Sequence, residues 1–367
     1  MNDSLTPATT VAPAGRAETP PVRTRRISLA GLRPLGRTVV NFLIFVLLAF
    51  FLVKLIPGDP VVVATGGRLS GEQLEAAREV YGLDGSWWQQ LVDYLRQLAT
   101  LDLGNSIATG RPISDELLVR IPSTLELVLT GLAASTVVAL LLSHYVVTHR
   151  AAWLSKALTV YARSAGALPE YVVGIAFLFI FYAKLHWAPA PSGRLDPILL
   201  RPPATTNFPI LDALLAGDTV AAASYVSHLV LPVLVMVFAH TPLLMKMLIL
   251  SLDESIDDPA TKFRVASGAP RSMVLASVYR RALPSMVATL GMLFGMFLGG
   301  AVVLEALFGL GGLGQYAVDA VNASDVFALR SFLLATAALC LLIYLLVDLA
   351  IMLLDPRRRA GVDRKDL

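Results

Sequence analysis

Six apolar segments, each long enough to cross a lipid bilayer, constrain this chain more than any other feature of its sequence. A membrane helix needs about 20 predominantly apolar residues. The chain is 56% hydrophobic and 16% charged, with a mean hydropathy of +0.67, so it carries more apolar surface than one soluble core can bury. We therefore predict an all-α polytopic membrane protein with six transmembrane helices, at residues 39–57, 123–147, 158–187, 227–250, 283–304 and 331–354.

The distribution of basic residues predicts the orientation of these helices. Six crossings place both termini on one side, and both tails and the 148–164 connection, which share that side, are rich in Arg and Lys. The opposite segment, residues 58–121, contains more acidic than basic residues. Because Lys and Arg are retained on the cytoplasmic side, we expect both termini to lie in the cytoplasm.

The remaining segments complete the predicted domain organisation. Residues 1–38 are rich in Pro, Ala, Thr and Arg, a composition typical of a disordered tail. In residues 58–121, apolar residues recur at spacings of three, four and seven, which predicts helices in an extracytoplasmic cap segment. The Trp87–Trp88 pair in it fits either an anchor at the headgroup level or a platform for ligand stacking. The core follows at 122–355, with a connecting loop at 251–283 and a C-terminal tail at 356–367.

Several residues inside the predicted spans break the apolar pattern. Pro169 removes a backbone hydrogen bond near the start of the third span and should bend it. Gly291, Gly295 and Gly299 repeat every fourth residue, which favours close helix packing either within the chain or against a second subunit. Glu305 is ionisable at membrane depth, and such groups are candidates for a functional site.

The connection between the fourth and fifth spans is the most informative stretch. Asp258 can cap a helix, Pro259 suits its first position, and Gly268 suits the left-handed residue just past its end. A second helix from about Arg271 should return to the membrane. The apolar residues of the short helix, such as Phe263, need either a protein partner or an anionic lipid surface.

This helix, turn and helix resemble the cytoplasmic loop of binding-protein-dependent ABC importer permeases. The shared features are Ala266-Ser267-Gly268 and Leu283-Pro284, although the acidic residue and paired alanines of the general pattern are absent. Further motifs resemble the dipeptide and oligopeptide permease branch, in the expected order between about 39 and 358. They are LIPGDP at 55–60, YGLD at 81–84, LDLGNS at 101–106, IPSTLEL at 121–127, HLVLP at 228–232, VLEALFGLGGLG at 303–314 and LDP at 354–356.

The resemblance implies a set of partners and functional residues. It implies a second homologous permease subunit, two cytoplasmic ABC ATPase subunits and an extracytoplasmic solute-binding protein, with ATP and Mg bound by the ATPases and no cofactor in this chain. It also implies a multi-pass location in the inner membrane of a prokaryotic cell. The residues it implies for ATPase coupling are Asp258, Phe263, Arg264, Val265, Ala266 and Gly268. From their position at the outer end of the fifth span, and not from the resemblance, we assign Glu305, Gly311 and Gly312 to the translocation pathway or gate. The implied cargo is a di- or oligopeptide, with nickel chelates, glutathione or another small solute as the alternative.

Other function classes lack their sequence signatures. The chain contains no Gly-x-x-x-x-Gly-Lys-Ser/Thr loop, so ATP should bind to another polypeptide. The Gly-x-Gly-x-x-Gly pattern at 309–314 follows a membrane helix rather than a strand, which argues against a dinucleotide site. Five scattered histidines and one cysteine, Cys340, give no catalytic or metal-binding motif for an intramembrane enzyme. We also find no internal repeat typical of a secondary transporter. The basic residues form no continuous face for nucleic acid.

Overall fold

A computed structural model describes residues 33–55, 59–164 and 166–354, and the regular structure within them is almost entirely α-helical. One isolated antiparallel bridge pairs Asn105 with Pro112. The helices are α1 Arg33–Lys54, α2 Pro60–Ala64, α3 Glu72–Val80, α4 Trp87–Ala99, α5 Ile113–Thr148, α6 Trp153–Arg163, α7 Glu170–Phe177 with a π-helical continuation Leu178–Lys184, α8 Pro209–Leu215, α9 Thr219–Asp257, α10 Pro259–Ala266, α11 Arg271–Phe308, α12 Leu313–Asn322 and α13 Val326–Leu354.

Within the described ranges, five helices are long and apolar enough to cross a membrane, namely α1, α5, α9, α11 and α13. They correspond to five of the six predicted spans. Several extend well beyond their apolar runs: α9 has 39 residues and α11 has 38. At 1.5 Å per residue each is about 57 Å long, roughly twice the hydrocarbon thickness of a bilayer. Both helices therefore project beyond the membrane at one or both ends.

Two predictions about helix bounds were wrong. The predicted third span, 158–187, is not one helix, because α6 ends at Arg163 and α7 begins only at Glu170. Gly166 between them has φ +77°, and Pro169, which lacks an amide hydrogen, immediately precedes α7. In addition, α1 begins at Arg33, so residues 33–38 are helical rather than part of a disordered tail. The rest of that tail, residues 1–32, and the predicted C-terminal tail lie outside the described residues.

The two pieces of the broken segment lie against the same central helices. At the α6 end, Arg150 in the α5–α6 connection forms a 2.6 Å ion pair with Asp253 near the end of α9. At the α7 end, Gly174 packs on Leu304 of α11, and the loop after the π-helical segment reaches the end of α11, where Gly193 lies close to Gly309. Consequently α6 starts at the end of the bundle that carries α10, and α7 leads to the opposite end.

The centre of the bundle is formed by α5, α9 and α11. Its largest fully buried side chains include Leu127, Met236, Phe294 and Phe297. Gly131 on α5 lies so close to α9 that an added Cβ would stand 2.5 Å from the Met236 sulfur. In a membrane, helices associate by close packing rather than by a hydrophobic driving force. A small residue such as Gly131 allows the two backbones to approach closely enough for this packing.

The glycine repeat of α11 packs within the chain at two of its three positions. An added Cβ at Gly291 would lie 2.9 Å from Val347, and one at Gly295 would lie 2.8 Å from the Tyr344 hydroxyl, both on α13. An added Cβ at Gly299 would have no atom of the described residues within 4 Å. The intrachain alternative therefore accounts for Gly291 and Gly295 but not for Gly299.

The predicted helices of the cap segment are α3 and α4, which lie beside the end of α1. A capping box between Ser86 and Gln89 starts α4. Lys54, the last residue of α1, donates a 2.6 Å hydrogen bond to Gln90 of α4. Trp87 and Trp88 are both more than half exposed, as either sequence interpretation requires.

Candidate functional site

The short helix α10 forms as the sequence predicted. The Asp258 carboxylate accepts a 2.7 Å hydrogen bond from the Ala260 amide, and Pro259 occupies the first position. Gly268 follows the helix with φ +74°, a conformation that costs other L-residues energy. The next helix, α11, begins at Arg271. It is continuous with the fifth span, so the residues after Gly268 do not form a separate helix.

Arg281 of α11 fixes α10 between the two long helices. Its guanidinium donates a 2.9 Å hydrogen bond to the Asp258 carboxylate and a second hydrogen bond to the Thr261 hydroxyl. The Thr261 hydroxyl in turn donates a 2.7 Å hydrogen bond to the Ser255 carbonyl of α9. This network connects α9, α10 and α11, so a force applied to α10 is transmitted to both long helices.

The outer face of α10 is exposed in the part of the chain that the structure describes. Phe263 is 73% exposed and Val265 62% exposed. The other residues predicted for ATPase coupling after Asp258, which are Arg264, Ala266 and Gly268, are exposed as well. Met273, in the first turn of α11, adds a further apolar side chain that is 54% exposed. Exposed apolar residues held on a rigid helix are typical of a docking surface.

At the opposite end of the bundle, Glu305 is buried and fully hydrogen-bonded. Its carboxylate accepts hydrogen bonds from the Thr124 hydroxyl at 2.5 Å, the Gly314 amide at 2.6 Å and the Gln315 amide at 3.3 Å. It therefore supplies an acceptor to the free amides at the start of α12. The structure thus places this predicted gate residue at the joint between α5, α11 and α12.

The glycine-rich turn after α11 depends on this joint. Gly309 and Gly311 adopt φ of +66°, which glycine tolerates at no steric cost. An added Cβ at Gly312 would overlap the Glu305 carboxylate and stand 2.5 Å from the Thr124 hydroxyl. Of the two predicted gate glycines, Gly311 is exposed and Gly312 is buried.

A cavity of about 970 Å³ opens beside this turn. Its wall includes Arg194, which donates a 2.7 Å hydrogen bond to the Ser123 hydroxyl and forms an ion pair with Glu126. Arg111 and Arg201 also line it and have no ion pair within the described parts of the chain. Four acidic residues also line the cavity, so its walls carry both signs of charge. They are Asp115, Glu116, Asp196 and Asp212.

Asp212 stabilises the loop that closes one side of this cavity. Burial acts to raise the pKa of Asp212, but hydrogen bonds from the Thr206 hydroxyl and amide, each 2.7 Å long, favour the carboxylate and hold the pKa below its usual value. The loop is therefore held by a carboxylate that stays ionised at neutral pH.

Sequence reasoning missed a polar pair inside the bundle. Glu170, the first residue of α7, lies 3.3 Å from Nε2 of His240 in the middle of α9. The His240 ring stacks on Phe297 with 4.1 Å between ring centroids, and an added Cβ at Gly300 would overlap the Glu170 carboxylate. The second oxygen of this carboxylate is buried and has no hydrogen-bond partner among the residues whose structure is described. The break in the third span thus places an acidic group against both α9 and α11.

The remaining candidate groups do not assemble into a reaction centre. Among the residues that the structure describes, no three His, Cys, Asp or Glu side chains are grouped as metal ligands would be. His144 bonds to the Tyr279 hydroxyl at 2.8 Å, and His228 to its own helix. Each is explained by local packing.

Comparison with known families identifies the chain. The family described as binding-protein-dependent transport system inner membrane component matches residues 131–360. The corresponding N-terminal component of such transport systems matches residues 31–128. The two matches together include every long helix and α10.

Individual relatives agree with these matches. The chain is 32% identical over 315 residues to the probable D,D-dipeptide transport system permease protein DdpB of Escherichia coli K12, covering 86% of this chain and 92% of that protein. It is 30% identical to the di/tripeptide transport system permease protein DppB of Pseudomonas aeruginosa, covering 89% and 97%. It is 28% identical to the dipeptide transport system permease protein DppB of E. coli K12, covering 89% and 98%. The resemblance inferred from the sequence motifs is thereby confirmed, and the chain belongs to the family of inner membrane permease components of binding-protein-dependent ABC transport systems.

Proposed function

We propose that this chain is one of two transmembrane permease subunits of an ATP-driven peptide importer, and that α10 is the element through which an ATPase subunit drives it. The observation that carries the proposal is the rigid attachment of the exposed face of α10 to both α9 and α11. The peptide cargo is supported by the names of three relatives that align over most of their length.

The proposed topology has six crossings, with both termini and α10 in the cytoplasm. The broken pair α6 and α7 supplies the crossing that no single long helix makes, since α6 starts at the α10 end and α7 leads to the other. Discontinuous membrane helices are tolerated where neighbouring helices surround the break, and α9 and α11 do so here. The cap segment, the large cavity and the glycine-rich turn then face the extracytoplasmic side.

In this arrangement ATP and Mg bind to two cytoplasmic ATPase subunits. This chain binds neither, and it transmits the movement of the ATPases to the membrane helices. Phe263 and Val265 would enter a cleft of the ATPase, and closure of that cleft would move α10 as a rigid body. Because Arg281 holds α10 to α11 and Thr261 holds it to α9, the two helices move with it. The bundle then alternates between its two openings.

The opposite end receives solute from an extracytoplasmic binding protein. The cavity beside Gly311 carries charges of both signs, which suits a peptide with an ammonium and a carboxylate group. Glu305 acts here by holding the turn 309–312 in position, since its own oxygens are occupied by Thr124 and the start of α12. A second, homologous permease subunit completes the pathway.

The decisive experiment replaces Phe263 by Asp in the complete transporter. Phe263→Asp should reduce both the amount of ATPase that co-purifies with the chain and dipeptide uptake into proteoliposomes, each at least tenfold. A matched control is Val80→Asp, because Val80 is 81% exposed but lies on the cap segment. The control should leave the co-purified ATPase unchanged. Uptake that persists in Phe263→Asp, or that continues without any ATPase, would refute the proposal.

A further inference from the structure

A second cavity lies between α1, α4 and α13, and none of its lining residues belongs to α10 or to the glycine-rich turn 309–312. Its volume is about 300 Å³, and both charged and apolar side chains line it. It lies at the end of α1 and the beginning of α13, where the cap segment meets the bundle. Nothing in the proposed transport mechanism uses it.

Arg330 is the most unusual residue in this cavity. Its guanidinium lies over the Tyr94 ring at 4.2 Å and over the Phe327 ring at 5.0 Å from the centroids. Its Nε is buried without a hydrogen-bond partner, and it forms no ion pair within the part of the chain that the structure describes. A cation that is partly withdrawn from water and lacks an anion is expensive, so an anionic ligand would be strongly favoured here.

Lys54 is a second cation at the same cavity. Its ammonium donates a hydrogen bond to Gln90 but has no acidic partner among the described residues. Of the two acidic residues that line the cavity, Asp59 is already paired with Arg78, and Asp93 is exposed and unpaired. Among the described residues, the cavity therefore has two cations without an ion pair, Lys54 and Arg330, and one carboxylate without an ion pair, Asp93.

Tyr94 does not supply the missing negative charge. Burial raises the pKa of Tyr94 to about 12, even though the Arg330 charge acts in the opposite direction. The phenol is neutral at physiological pH, and it serves Arg330 only through its ring face.

The position of the cavity indicates where its ligand comes from. Lys54 ends a helix whose outer face is apolar and exposed, including Phe51 and Leu52. The Trp87 ring lies 6.3 Å from that of Phe51, and Trp88 is exposed next to it. Exposed tryptophans beside the end of an apolar helix mark the level of the lipid headgroups. The two cations therefore stand at the depth of the phosphate groups.

We propose that this cavity binds the phosphate of an anionic phospholipid headgroup, with Lys54 and Arg330 as the cations that contact the phosphate oxygens. Arginine presents several donors in a fork that matches a phosphate, and lysine adds a point charge. The site couples the annular lipid to the junction of α1, α4 and α13. It predicts a lipid requirement that is independent of α10.

The test is native mass spectrometry of the full-length chain, purified with the subunits that assemble with it, in the presence of phosphatidylglycerol or phosphatidylcholine. The wild type should retain one more phosphatidylglycerol than Lys54→Gln or Arg330→Gln, whose affinity for that lipid should fall at least tenfold. Arg96→Gln is the matched control, since Arg96 is exposed on α4 and does not line the cavity. Its lipid retention should equal that of the wild type.

Further variants and competing ligands distinguish a lipid phosphate from free phosphate or a peptide carboxylate. Arg330→Lys keeps the charge and remains informative if Arg330→Gln fails to fold, and it should bind phosphatidylglycerol more tightly than Lys54→Gln does. Inorganic phosphate and a dipeptide, added separately, should displace none of the bound lipid. Equal lipid retention in Lys54→Gln and Arg96→Gln, or displacement by the dipeptide or by phosphate, would overturn the proposal.

Discussion

Thr124 on α5 donates a 2.5 Å hydrogen bond to Glu305 on α11, although the two residues are 181 positions apart in the chain. The same Thr124 hydroxyl accepts a 2.7 Å hydrogen bond from the Leu313 amide at the start of α12. One hydroxyl thus joins three helices at the end of the bundle. The joint holds the glycine-rich turn whose position the proposed gate requires.

Replacing Thr124 by Val should destabilise this joint. Valine keeps the shape of the side chain but leaves the Leu313 amide and one Glu305 oxygen buried without a partner. Such losses cost about 1–3 kcal/mol. Thermal unfolding of the purified chain in detergent measures the effect. The control is Thr130→Val, because the Thr130 hydroxyl bonds only to carbonyls of its own helix, and its cost should stay below about 0.5 kcal/mol. Equal costs for the two variants would contradict the role given to Thr124.

Gly312 should not tolerate even one added methyl group. In Gly312→Ala the new Cβ would stand 2.5 Å from the Thr124 hydroxyl and overlap the Glu305 carboxylate. Overpacking of this kind costs about 1–3 kcal/mol, and the displaced turn should also slow dipeptide uptake.

The matched variant for Gly312→Ala is Gly299→Ala, on the preceding helix. No atom of the described residues lies within 4 Å of the added Cβ at Gly299, so the unfolding temperature of the chain should be unchanged. A comparable loss of stability in both variants would show that close packing at Gly312 is not the cause.

Arg281 should determine how firmly α10 is held. Arg281→Gln removes the charge-assisted hydrogen bonds to Asp258 and Thr261, at a cost of about 1 kcal/mol because the pair is partly exposed. Amide hydrogen exchange in α10 should then be about fivefold faster, since 1.4 kcal/mol corresponds to a factor of ten. Arg280→Gln is the neighbouring control, as Arg280 is exposed and makes none of these contacts. If amide exchange in α10 were unchanged in Arg281→Gln, the Arg281 side chain would not be what holds α10 to α11.

Features that depend on residues close together in the chain could be predicted from the sequence. The caps of α10 at Asp258 and Gly268 depend on neighbours a few residues away, so they could be predicted from the local sequence. Five spans could be predicted because each is one uninterrupted apolar run. The prediction of the third span as one helix failed, because the mean hydropathy of a long segment does not reveal a local break such as the one at Gly166 and Pro169.

Long-range pairs could not be found in this way. Glu170 and His240 are 70 positions apart and share no periodic pattern, and only the packing of α7 on α9 brings them together. Glu305 could be identified as an ionisable residue at depth, but its partner Thr124 could not, since a threonine in a membrane helix carries no distinguishing signal.

The Glu170–His240 pair should be energetically coupled. Glu170→Gln and His240→Gln each remove one partner, and residues in direct contact show interaction energies of about 0.5–3 kcal/mol in a double-mutant cycle. Unfolding of the two single variants and the double variant gives this energy. We also expect dipeptide uptake to fall in both single variants, because the pair fixes the start of α7 against α9. Additive effects would mean that the two side chains act independently.

Asp59 should make the cap segment sensitive to acid. Its carboxylate accepts a 2.9 Å hydrogen bond from the Val61 amide and pairs with Arg78 of α3, so it ties α2 to α3. Burial acts to raise the pKa of Asp59, but the Arg78 and backbone hydrogen bonds outweigh it and hold the pKa below its usual value. Because the folded pKa is the lower one, the stabilisation is complete above about pH 4 and is lost as the pH falls through the folded pKa.

Asp59→Asn should therefore lower the unfolding temperature at pH 7, and its difference from the wild type should shrink once the pH falls below about 4. Asp84→Asn serves as the control, since Asp84 is exposed on the same segment and makes no ion pair among the described residues. Its difference from the wild type should be small at both pH values. If the Asp59→Asn difference instead grew on acidification, the folded pKa of Asp59 would lie above its unfolded value, and the carboxylate would not be the group that ties α2 to α3.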